Sequence, residues 1–165
     1  MSTRDSDQKV HSWLDGRLPD DWFESFTVTG DREEITIVGT IPVPDSDAAE
    51  SRSGRIRRFR EETRAARIAV ARELEASTGR KVTWGATCGE TTEIFTRLAV
   101  PVMTRLTQPQ RLVLDTLVES GVARSRSHAV AWCVRLVAQH QSEWLTDLDA
   151  AMTEVRRVRE QDPTT

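Results

Sequence analysis

Apolar residues along this chain recur at two spacings, and each change of spacing marks an element. Ile35 and Ile37 alternate with Thr36 and Val38, the period of a half-buried strand. Gly30-Asp31 supplies turn chemistry between a strand at 26–29 and a second at 34–43, so the two predict a hairpin. Pro42 and Pro44 end the second strand. Ile56, Phe59, Thr63, Ala66, Val70 and Leu74 then recur every three or four residues. That stripe predicts one helix over 55–77, stopped at Gly79. Residues 82–87, carrying Trp84, and 92–100 read as two further strands turned at Gly89. The polar stretch 45–54 predicts an exposed loop, and the polar residues 1–12 a disordered tail. Trp13, Leu14, Leu18, Trp22, Phe23 and Phe26 form an aromatic cluster expected to pack on the domain. The first hundred residues therefore read as an α+β unit of strand-strand-helix-strand-strand order.

The pattern changes after Val100. Residues 102–106 are strand-like, and Thr107 is placed to cap a helix with Pro109 in its first turn. Gly121 separates that helix from a second, for which Ser127 is the expected cap. Neither Gly nor Pro occurs from Val122 to Gln161. Val130, Val134, Val137, Gln141, Trp144, Leu148, Met152 and Val155 follow a near-heptad spacing, which predicts one unbroken helix over 127–160. The expected organisation is a tail at 1–12, an α+β domain at 13–100, a strand-helix-helix module at 101–140 and a helical extension at 141–165.

Composition narrows the class. Hydrophobic residues make up 38% of the 165, and no apolar run approaches the ~20 residues that span a bilayer, so no membrane partner is expected. No signal-peptide pattern opens the chain. Cys88 and Cys133 are too few for a disulfide scaffold or a zinc site. Cys133 is expected as a small buried hydrophobe and Cys88 as an exposed turn residue, and a cytoplasmic location fits reduced thiols. Lys9 and Lys81 are the only lysines among 23 basic residues, a bias expected of a GC-rich bacterial genome.

Charge is unevenly spread. Residues 1–50 hold 4 basic and 12 acidic side chains, and residues 51–80 hold 9 and 4. Arg55, Arg57, Arg58 and Arg60 crowd what reads as the start of the long helix, where positive charge opposes the helix dipole. Phosphate, an acidic partner or the acidic N-terminal segment would each answer them. No nucleophile–base pair, metal triad or Gly-rich phosphate loop is legible, so the chain is not expected to be an enzyme and no cofactor or metal is implied.

Leu106, Thr107, Leu114, Leu117, Val118, Gly121, Ser127, Val130 and Val134 carry a resemblance to the ribbon-helix-helix DNA-binding family of the Arc, MetJ and CopG type, over residues 101–140 only. The resemblance implies a homodimer in which two strands pair as an antiparallel ribbon that enters the major groove of double-stranded DNA. Val102, Thr104 and Leu106 would then face inward, with Pro101, Met103 and Arg105 outward. Arg105 suits guanine O6 and N7 and Met103 a thymine methyl. Pro101 and Met103 depart from the polar residues usual on such a ribbon. Arg124, Arg126 and Ser127 fit phosphate contacts at a helix N-terminus. They also fit a solvated loop before a capped helix. The expected function is a transcriptional regulator or nucleoid-type factor, associated with the nucleoid. The alternative is an assembly or adaptor protein that uses the module only to dimerise.

Overall fold

The computed structural model describes residues 3–43 and 49–160. The chain divides into two compact units, Met1–Val102 and Met103–Thr165. The first is α+β and the second all helical.

The first unit begins with helix α1 (Thr3–Asp15). A disordered tail was expected here. Val10 and Leu14, one turn apart, are both buried in the core and hold the helix down. Asp7 fixes its outer end, accepting from the Gly30 N–H at 3.1 Å and pairing with Arg80 at 3.4 Å, with both side chains largely buried. Strands β1 (Ser25–Gly30) and β2 (Glu34–Thr40) form the expected hairpin. The Asp31 side chain accepts from the Glu33 and Glu34 N–H groups and shapes the turn, which lowers the Asp31 pKa.

Two helices follow, α2 (Ala49–Glu62) and α3 (Arg64–Thr78), where the spacing predicted one. The expected loop at 45–54 falls partly outside the described residues, and its described part, 49–54, is the first turn and more of α2. The break lies at Thr63, whose hydroxyl donates back to the Phe59 carbonyl at 2.6 Å. Such back-bonding competes with the helix ladder and bends it. Past the break the buried stripe shifts by one residue: Arg67 is buried and Ala66 is exposed. Gly79 ends α3 in the left-handed conformation expected of a C-terminal glycine (φ 71°).

Strand β3 (Lys81–Cys88) pairs parallel to β2, and β4 (Thr91–Ile94) pairs antiparallel to β3. The sheet order is β1-β2-β3-β4. Strand β4 is shorter than the 92–100 expected. It is an edge strand, and after the Phe95 N–H donates to the Trp84 carbonyl at 2.8 Å residues 96–100 leave the ladder, although β3 extends back to Lys81. One face of the sheet presents Ile35, Ile37, Trp84, Ala86 and Cys88 to the helices. Cys88 is therefore buried at the end of β3 rather than exposed in a turn. On this face the Phe23 ring lies directly over Gly39, where a Cβ would stand about 2.0 Å from it, so only glycine fits. The opposite face is lined by Thr27, Thr29, Thr36, Val38, Thr40 and Thr87.

The second unit contains α4 (Gln108–Glu119), α5 (Arg126–His140) and α6 (Ser142–Glu160). The Thr107 N–H donates to Gln110 Oε1 at 2.8 Å, half of a capping box, with Pro109 in the first turn. Gly121 leaves α4 at φ 78°. Leu114, Ala123 and Ala129 form a small core, with Leu106, Leu117, Val118, Val130 and Cys133 packed around it. The long terminal helix expected is two helices. Gln141 departs from helical geometry (φ −126°, ψ 26°), and a new helix starts at Ser142 with Glu143 in its first turn, where negative charge is favourable. The expected stop at Pro163 lies outside the described residues. No helix among the described residues is long and apolar enough to cross a membrane.

Candidate nucleic-acid interface

In the single chain, residues 102–106 form no ladder; the expected strand would need a second chain to pair with. Val102 and Met103 are nearly fully exposed, at 89% and 99%. Leu106 turns in to pack on the α4–α5 core, and Arg111 clamps the segment by donating to the Leu106 carbonyl at 2.6 Å. Arg105 is exposed and makes no hydrogen bond or ion pair among the described residues. Arg105 and Met103 thus stand on an accessible stretch anchored at one end.

The phosphate candidates are placed differently from one another. Arg124 is exposed with its guanidinium unengaged, while its backbone N–H donates to His128 Nδ1 at 3.3 Å. Arg126 is held by Asp115 through two bonds of 2.7 Å, from Nε and Nη2. That pairing raises the Arg126 pKa and lowers that of Asp115, the side-chain hydrogen bond being the larger cause in each. Arg126 is therefore neutralised within its own unit and ties α5 to α4. Ser127 is not the cap. Ser125 is, being extended (φ −163°, ψ 163°) and accepting from the His128 N–H at 3.2 Å. In the RSRS run the first serine keeps the extended geometry, and Arg126 is already helical. Ser127 lies one residue inside the first turn.

The second basic group also moves. Because α2 starts at Ala49, Arg55, Arg57, Arg58 and Arg60 run from its middle to its last turn, where positive charge agrees with the helix dipole. Arg58 pairs with Glu62 at 2.7 Å. Arg60 donates to the Phe95 carbonyl at 3.2 Å and lies over the Phe95 ring. Arg57 is exposed and Arg55 half-buried, neither with a partner among the described residues. None of the four pairs with a described acid of residues 1–43. The acidic N-terminal part meets the basic stretch through Asp7 and Arg80 instead, and α1's neighbour Arg17 pairs with Glu73 at 2.6 Å.

One arrangement escaped the spacing argument. Arg67, on α3, is buried with its guanidinium 4.7 Å from the Phe95 ring centroid. Its Nε donates to Thr63 Oγ1 and its Nη2 to the Arg60 carbonyl, at 2.9 and 2.6 Å. No carboxylate among the described residues pairs with it. Burial, with Arg60 and Arg64 nearby, pulls its pKa down to about 10. The sequence signal for it was only the helix-breaking Thr63 beside a run of arginines.

Residues 8–94 match the family model described as the Rv1265-like protein, N-terminal domain, and residues 107–159 match the Mb1296 C-terminal domain. The chain belongs to the Rv1265-like family. Relatives include the uncharacterized protein Mb1296 of Mycobacterium bovis and the uncharacterized protein Rv1265 of Mycobacterium tuberculosis. Each is 53% identical over 155 residues, covering 92% of this chain and 69% of the relative. No solved structure matches. The interval between the two family segments, 95–106, contains the junction of the two compact units at Val102 and Met103.

Proposed function

We propose that this Rv1265-like protein is a dimeric DNA-binding protein that reads the major groove with an antiparallel ribbon built from residues 102–106 of two chains. The observation that carries this reading is the state of that segment. It is anchored through Leu106, it presents Val102 and Met103 almost fully to solvent, and Arg105 has no partner among the described residues. An exposed Val-Met pair next to a small three-residue core is an association surface in a single chain. Pairing two copies covers Val102 and leaves Arg105 available for a guanine edge. Arg124 is the arginine left for phosphate, and Arg57 and Arg55 extend positive charge on the first unit. Arg126 serves structure first, through Asp115.

A gel shift with genomic fragments at two salt concentrations tests the reading. Binding that weakens steeply with salt supports phosphate contact, since log affinity falls with log salt by about 0.9 per phosphate neutralised on duplex DNA. A dimer in sedimentation that shifts no fragment at either salt concentration would replace this reading with an assembly or adaptor role, in which Met103 lines a dimer seam.

A further inference from the structure

The first unit contains a cavity of about 420 Å³ against α3, β3 and the residues that follow β4. That volume lies within the range of small-molecule sites. Among the described residues its lining holds four arginines, Arg60, Arg64, Arg67 and Arg72, and one acid. The acid, Glu75, is already engaged, accepting from the Val82 N–H at 3.2 Å and from Lys81 Nζ at 3.1 Å. Ile68, Ala71 and Val82 give the cavity an apolar side, on which Ile68 remains exposed.

Three of these arginines are brought close to one another. The guanidinium carbons of Arg60 and Arg67 lie 5.5 and 4.7 Å from the centroid of one ring, that of Phe95. Arg64 opens α3, one turn before Arg67. Burial lowers the Arg67 pKa most, and repulsion from Arg60 and from Arg64 lowers it further, so the three charges act on one another. No carboxylate among the described residues cancels them. The hydrogen bonds of Arg60 and Arg67 go to the Phe95 and Arg60 carbonyls and to the Thr63 hydroxyl, none of which carries a charge. Arg64 is exposed, and no hydrogen bond or ion pair engages it among the described residues. Its position does not serve the helix either, because a positive charge in the first turn opposes the helix dipole.

We propose that this cavity binds a small organic phosphate, its phosphoryl group held by Arg60 and Arg64 beside the buried charge of Arg67 and its apolar body by Ile68, Ala71 and Val82. A phosphate monoester brings close to two negative charges at neutral pH and three strong acceptor oxygens. It therefore answers a cluster of three guanidiniums better than a carboxylate, with one charge and two oxygens. The planar fork of each arginine matches phosphate geometry. A duplex backbone also offers phosphates, but with one charge each and no apolar group for the Ile68 side. The site lies wholly within the first unit and stands whether or not the second binds DNA.

The test is isothermal titration of the full chain with phenyl phosphate at neutral pH, compared with phenylacetate and inorganic phosphate and repeated in the presence of a short DNA duplex. Phenyl phosphate binds tighter than about 1 mM, the strength available to a ligand of roughly ten heavy atoms. It binds more tightly than either comparison, and the duplex does not displace it. Arg64→Gln weakens it about tenfold, the effect of one hydrogen bond to a charged group. The same variant does not lower the unfolding midpoint of the unliganded protein, because it removes a repelled charge rather than an internal contact. Arg32→Gln makes the same charge change in the exposed turn between β1 and β2 and leaves the affinity as in the parent. Failure of phenyl phosphate to bind overturns the proposal. Phenylacetate or inorganic phosphate binding as tightly overturns it equally, as does Arg64→Gln matching the parent, Arg64→Gln lowering the midpoint, or Arg32→Gln weakening the ligand as much. Displacement by the duplex would assign these arginines to a nucleic-acid backbone instead.

Discussion

The two units bury themselves to very different degrees. Among the described residues, the first encloses fourteen buried hydrophobic residues in one cluster, from Val10 to Phe95. The second, with three helices, encloses Leu114, Ala123 and Ala129. Meanwhile it leaves Val134, Val137, Trp144, Leu148, Met152 and Val155 about half exposed or more. A sheet covered by helices closes a core within one chain, because strands far apart in sequence supply one face and α1, α2 and α3 supply the lid. In the second unit only α4 and α5 meet over a small core, and that seam is too narrow to enclose its apolar residues. The difference is that the first unit closes its core within itself, whereas the second leaves many of its large apolar side chains uncovered.

The sharpest way to break this comparison is at Ile37, fully buried at the centre of the sheet. Ile37→Ala should destabilise the first unit by about 4 kcal/mol, within the range for truncating a buried isoleucine. Urea unfolding followed through Trp22 and Trp84 should shift to lower denaturant, with no dependence on protein concentration. A loss under ~1 kcal/mol would show that the helices do not seal this face.

The second unit should behave in the opposite manner. If a second copy completes its core, its unfolding midpoint rises with protein concentration. Leu114→Ala should then cost about 3 kcal/mol and shift the dimer toward monomer in sedimentation. A folded monomer at low micromolar concentration, with a concentration-independent midpoint, would show the three-residue core to be sufficient.

How legible this was in the sequence also divides along the two units. The hairpin, β3 and the order of strands follow from alternation and from Gly30-Asp31, because period-two patterns and turn glycines are local. The helix at 3–15 was missed because its hydrophobic anchors, Val10 and Leu14, are few among charged residues and act through contacts distant in sequence. The breaks at Thr63 and Gln141 were missed because an apolar stripe continues across each, and at Thr63 spacing does not register a hydroxyl that bonds back to the ladder. In the candidate interface the cap at Thr107 was legible, but the inward–outward alternation expected along 101–106 is not seen in the single chain, where 101–105 are all exposed. The diversion of Arg126 to Asp115 was not legible, since eleven residues separate them and only the α4–α5 packing brings them together. Arg67 was invisible partly for the same reason: its hydrogen bonds go to nearby Thr63 and Arg60, but the Phe95 ring it lies over is distant in sequence.

Arginine substitutions sharpen the comparison at the level of function. Arg105→Ala should weaken DNA binding by about 1–3 kcal/mol and relax sequence preference if the side chain holds a guanine. Arg124→Ala should weaken all sequences alike and flatten the salt slope by about one contact. Neither should alter unfolding of either unit, since neither guanidinium has an internal partner. Parental affinity in both variants would remove the ribbon as the reading surface.

The smallest effect expected is electrostatic, and it separates the units by acid. Asp115 in the second unit and Glu73 in the first both have lowered pKa values, each chiefly because an arginine hydrogen-bonds the carboxylate, Arg126 and Arg17 respectively. A carboxyl group with a depressed folded pKa stabilises the fold above its unfolded value, near 3.9 for Asp and 4.3 for Glu. That stability is lost as pH falls through the lower folded value. Both pairs are partly exposed and screened, so the loss is modest. Asp115→Asn should therefore flatten the acid sensitivity of the second unit below about pH 4 and leave the first unit unchanged, with Glu73→Gln doing the reverse. Indole N–H signals read by NMR distinguish them, Trp132 and Trp144 for the second unit and Trp22 and Trp84 for the first. If Asp115→Asn left the second unit's acid response as in the parent, the Arg126 pair would not hold α4 to α5 in solution. Arg126 would then be free to meet phosphate after all.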